Sequence, residues 1–123
     1  MEYLPGTCNI GPEEIVRRKR NGWIGLLVTV VLGVTIELAG WPRAYRLLVI
    51  PTLAYALAGF IQGYHRFCLA YGFLGLFGMH GVRQVSRVTD REALRQDRRK
   101  ALQITLWMLS GTAILTICYY LMP

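Results

Sequence analysis

The sequence predicts an all-α integral membrane protein with three transmembrane helices and a re-entrant or interfacial apolar segment before the last of them. Three observations lead there. The chain is 54% hydrophobic and only 17% charged, whereas an ordinary soluble domain carries about 25% charged residues. Its mean hydropathy is +0.35. Its charges gather mainly in two blocks, residues 13–20 and 83–100, separated by apolar stretches long enough to cross lipid.

Taken in order, residues 1–21 form an N-terminal segment. Residues 1–10 read as irregular. Gly11-Pro12-Glu13-Glu14 then reads as a helix start, with proline at the first helical position and two carboxylates in the first turn, where the helix dipole favours them. The basic run Arg17, Arg18, Lys19, Arg20 follows, so 12–20 is expected to be a short amphipathic helix along the headgroups. No A-x-A cleavage pattern follows the first apolar run, which is therefore expected to stay as a signal anchor. Residues 22–66 hold two spans joined by a short outer loop. The first, 22–40, covers about 28 Å, close to a hydrocarbon core of about 30 Å, and Trp23 and Trp41 bracket it as interfacial aromatics should. The second runs over 47–64. Pro51 falls near its start, where a missing backbone donor is tolerated.

Residues 67–81 are apolar but short, and Gly72, Gly75 and Gly78 interrupt them. A stretch of this kind dips into the membrane or lies on it more readily than it spans. A basic cytoplasmic helix is expected over 82–100, starting near Asp90 where Thr89 and Glu92 suggest a capping box. It continues into the last span, 101–123, anchored by Tyr119 and Tyr120. The alternative is four transmembrane helices, with 67–81 crossing. Basic side chains choose between the two. With three spans only Arg43 and Arg46 face away from all other lysines and arginines, whereas with four the block at 83–100 moves outside. The positive-inside rule selects three spans with the N-terminus cytoplasmic, in a cell or inner membrane.

Small residues recur at helical spacing: Gly25, Thr29 and Gly33 on the first span, Gly59 and Gly63 on the second, Gly111 on the third. They allow close helix packing, within the chain or against a partner protein. Arg17, Arg18, Lys19 and Arg20, with Arg91, Arg95 and Arg98 on one face of the basic helix, fit anionic headgroups. The net charge of +7 is thereby assigned to topology and lipid, not nucleic acid. Glu37 is the one carboxylate inside an apolar segment. It is expected to pair with Arg43 or Arg46; otherwise it is a candidate for proton or cation handling. Cys8, His65, Cys68 and His80 share the predicted cytoplasmic side and are the only candidate metal ligands, at a spacing that matches no familiar zinc site. No metal or cofactor is predicted from them. Neither a Ser/His/Asp set nor a phosphate-binding glycine loop is present, so no enzyme is expected. The expected role is a non-catalytic accessory or structural subunit of a larger membrane complex, with membrane lipids and other subunits as partners. A small homo-oligomeric transporter using Glu37 and a metal- or cofactor-binding membrane protein are the alternatives.

Overall fold

A computed structural model describes residues 3–79 and 85–123. The protein is 75% helical, and three of its helices are long and apolar enough to cross a membrane. That is the build of a multi-pass membrane protein.

Helix α1 spans Pro12–Ala39. Gly11 supplies the extended N-cap, Pro12 opens the helix, and Glu13 and Glu14 occupy its first turn, as the sequence led us to expect. The expected separate helix over 12–20 is instead the first turns of α1. Gly22 at the junction lets α2 approach closely, because a Cβ there would stand 2.9 Å from the Phe60 ring. At 28 residues the helix is about 42 Å long, longer than a hydrocarbon layer of about 30 Å. Gly40 ends it in the left-handed conformation, φ 65°, with its amide on the Glu37 carbonyl.

A 3-10 turn, Arg43–Leu48, leads directly into α2, Val49–His65. Pro51 sits in the first turn of α2 and does not break it. After α2 comes the short helix α3, Leu69–Leu74, then strand β1, Leu76–Phe77, paired antiparallel with β2, Ser86–Arg87. The apolar stretch that begins at Phe67 is therefore a short helix and the first arm of a hairpin. No spanning helix forms there among the described residues, leaving the four-span alternative without its extra helix. Residues 80–84, including His80 and Arg83, lie outside the described residues. Helix α4, Arg91–Tyr120, is capped by the Asp90 side chain, which accepts from the Glu92 amide at 3.3 Å. It carries the basic turns and the last apolar stretch as one rod.

Helix α2 lies between α1 and α4 and packs on both, while α3 packs on α4. The α1–α2 contact is glycine-lined. A Cβ on Gly59 would stand 2.6 Å from the Gly22 amide nitrogen, and one on Gly25 would stand 2.9 Å from Ala56 Cα. Two ends result. The basic end gathers the start of α1, the close of α2, α3, the hairpin and the start of α4. Among the described residues, only Arg43 and Arg46 of the lysines and arginines lie at the far end.

Candidate functional site

The N-terminal segment has no regular secondary structure, as expected, but it is firmly bonded. It plugs the basic end. Leu4 and Cys8 form a bridge, Ile10 pairs in parallel with Gly78, and the Asn9 amide donates to the Arg66 carbonyl at 3.2 Å. Cys8, Asn9 and Ile10 are buried. The Asn9 side chain clamps the backbone of Cys68 from both sides: its Nδ2 donates to the Cys68 carbonyl at 3.1 Å, and its Oδ1 accepts from the Cys68 amide at 2.7 Å. A second clamp closes the other flank. Asp97, buried on α4, accepts from the Tyr3 hydroxyl at 2.5 Å and the Gly6 amide at 2.7 Å, and the Tyr3 ring stacks on Phe77. Burial first, then the Asp97 bond and charge, push the Tyr3 phenol well above its usual range.

Behind Asn9 lies a buried ionic cluster. Glu14 is 1% exposed and holds Arg17 through two contacts of 2.8 and 2.9 Å. Arg18 approaches the same carboxylate at 3.2 Å. Arg18 also donates to Gln62 Oε1 at 3.0 Å and to the Cys68 sulfur at 3.2 Å. Gln62 in turn accepts from the Leu69 amide, which ties α2 to the start of α3. A carboxylate taken out of water has to be paired, and Glu14 finds both Arg17 and Arg18; the Arg17 side chain stays 42% exposed and that of Arg18 17%. Tyr71 sits beside this cluster, and burial raises its phenol pKa.

Among the described residues, the candidate metal ligands Cys8, His65 and Cys68 do not converge. The Cys8 thiol donates to the Ile10 carbonyl at 3.4 Å, Cys68 accepts from Arg18, and the His65 ring lies against Trp107 at 5.0 Å. Among the described residues no three His, Cys, Asp or Glu side chains form a metal-sized group; His80 lies outside them. What Cys8 and His65 do share is a cavity of about 570 Å³, lined also by Thr7, Tyr64, Arg66 and Lys100.

At the far end Glu37 pairs with Arg46, one of its two expected partners, at 2.9 and 3.1 Å. Arg46 is 8% exposed and also donates to the carbonyls of Tyr119, Tyr120 and Met122. The Tyr119 hydroxyl completes the staple, donating to the Gly33 carbonyl at 3.1 Å and lying 3.2 Å from Glu37. One arginine thus joins the ends of α1, α2 and α4. Below it, an apolar groove of about 460 Å³ opens between α1 and α4, lined by Val30, Val34, Leu53 and Leu115.

Of the remaining expected residues, Gly25, Gly59 and Gly63 are spent within the α1–α2 contact, with Gly63 under the Lys19 stem. Gly111 faces Leu57, Gly33 faces Tyr119, and Thr29 bonds its own helix at the Gly25 carbonyl. Arg20, Arg91, Arg95 and Arg98 are exposed, and Lys19 is exposed beyond its stem. Comparison with known protein families, characterised proteins and solved structures finds no match to this chain. Sequence reading overlooked Asn9, Glu14, Gln62 and Asp97. Three of the four carried a signal: Glu14–Arg18 has the i, i+4 spacing, Gln62 is the lone amide of its span, and Asp97 is the acid inside a basic run.

Proposed function

We propose that this chain is a non-catalytic accessory subunit of a larger membrane complex, inserted with its basic end toward the cytoplasm. The observation that carries the reading is the apolar flank of the long helices, beside which the main polar side chains find partners within the chain. Glu14, Asp97, Gln62 and Glu37 each have an intramolecular partner. That flank is broad: Leu27, Val31, Leu109, Ile114 and Ile117 are all at least half exposed. A rigid rod-like scaffold with an inert flank suits a role carried by its neighbours. The transporter reading has less support, because a carboxylate neutralised by Arg46 and Tyr119 makes a poor relay. Solubilisation of the native membrane in mild detergent, with identification of stoichiometric partners in the chain's peak, tests the proposal. Co-purifying subunits are expected. A lone homo-oligomer whose ion flux disappears in Glu37→Gln would replace it with the transporter.

A further inference from the structure

We infer that the basic cavity between the end of α2 and the start of the apolar part of α4 is a headgroup site for one anionic phospholipid, its phosphodiester held by Arg66 and Lys100. Four features point there. First, the charges are available. Among the described residues no carboxylate lies within 4.0 Å of either side chain, in contrast to Arg17, Arg18, Arg46 and Arg95. The nearby acid, Asp97, is occupied by Tyr3 and Gly6. Second, the cavity is built and not a flat patch. It encloses about 570 Å³ between the N-terminal loop, Tyr64, His65, Arg66 and Lys100, and the loop is held in place by the Asn9 and Asp97 clamps.

Third, its level is that of a membrane boundary. Lys100 is the last charged residue before the apolar run of α4, and Arg66 directly follows α2. Trp107 lies under both His65, at 5.0 Å, and the Lys100 ammonium, at 5.4 Å, and Tyr64 is 77% exposed. Exposed aromatics beside cations are how membrane proteins meet the headgroup layer. A soluble phosphate has no use for that apolar flank. Fourth, Arg66 is the one described non-glycine residue with positive φ, 54°. Glycine would adopt this helix-ending conformation without strain, and a strained side chain at a cavity mouth points to use of the side chain itself.

The site differs from a diffuse counter-ion effect in being specific to two residues, and the test exploits that. The protein is reconstituted with equal phosphatidylglycerol and phosphatidylcholine, stripped with detergent, and examined by native mass spectrometry for retained lipid. One phosphatidylglycerol per chain is expected. Arg66→Gln with Lys100→Gln should lower its retention about 30-fold, whereas Arg43→Gln with Arg87→Gln, an equal loss of charge at exposed positions elsewhere, should leave it unchanged. Arg66→Gly is the decisive variant, because it should raise the melting temperature while weakening retention, which misfolding cannot do. Equal losses from both charge-removing pairs, or full retention in the Arg66/Lys100 pair, would overturn the proposal. So would displacement of the lipid by millimolar inorganic phosphate, which would reassign the cavity to a soluble anion.

Discussion

Replacing Asn9 with alanine removes both hydrogen bonds to the Cys68 backbone and leaves the buried Cys68 amide without a partner, while the Cys68 carbonyl keeps the Gly72 amide at 2.9 Å. An orphaned buried group costs about 1–3 kcal/mol. About 2 kcal/mol is the working figure for the one orphaned amide. The cost falls on the docking of the N-terminal plug, where both lost bonds lie. The plug should therefore open locally more often, by about 30-fold for 2 kcal/mol. The chain carries its own reporter. Cys8 and Cys68 are each 3% exposed, whereas Cys118 is exposed at the other end of the molecule. Maleimide labelling, followed cysteine by cysteine with peptide mass spectrometry, should show Cys68 reacting about 30-fold faster in Asn9→Ala, with Cys118 unchanged as the internal reference. Asn9→Leu, which keeps the number and branching of side-chain heavy atoms, should behave alike, separating lost hydrogen bonds from a packing void. A Cys68 rate within about twofold of the native protein would refute the reasoning, since the clamp would then contribute less than about 0.4 kcal/mol.

Gly59→Leu should force α1 from α2, because even a Cβ would lie 2.6 Å from the Gly22 nitrogen and 2.7 Å from the Arg18 carbonyl; a loss of at least about 3 kcal/mol is expected. Gly111→Ala, which meets only the mobile end of Leu57 at 3.2 Å, should change the melting temperature little, and a larger loss at Gly111 than at Gly59 would contradict this packing. Arg46→Gln should lower the melting temperature and increase amide exchange over the last turn of α4, since three carbonyls there lose their donor, while Arg43→Gln should alter neither. Tyr3→Phe should cost about 1–2 kcal/mol, the lower part of the range for a bond to a charged acceptor, because Tyr3 is only partly buried. Its pH dependence has a definite sign. The folded state raises the Tyr3 pKa above its ordinary 10.0, so it binds this proton more tightly than the unfolded chain. The stabilisation is whole below pH 10 and lost as pH climbs through the folded value, and alkaline melting curves of Tyr3→Phe should lack that decline.

What the sequence by itself determined is the helical build, with three helices long and apolar enough to cross a membrane. Length of apolar run, placement of proline and glycine, and segregation of basic residues are one-dimensional properties, and bilayer thickness acts on them directly. Gly11-Pro12 started α1, Gly40 ended it, Asp90 capped α4, and the interrupted stretch from Phe67 proved too short and too glycine-rich for a spanning helix. Glycines at fourfold spacing also declared a close helix contact, though not with what; the structure gives Gly25 and Gly59 to the α1–α2 contact. Only the tertiary structure decided the chemistry of the two ends. Arg17 and Arg18 look topogenic in sequence, and the structure shows that both also pair with a buried Glu14; Arg46 looks like a loop residue, but it joins three helix ends. Asn9 reaches a backbone 59 residues away and Tyr3 a carboxylate 94 residues away. A polar side chain is satisfied by whichever partner lies within about 3 Å, and that neighbour is set by how the helices pack, which no periodicity in the chain records.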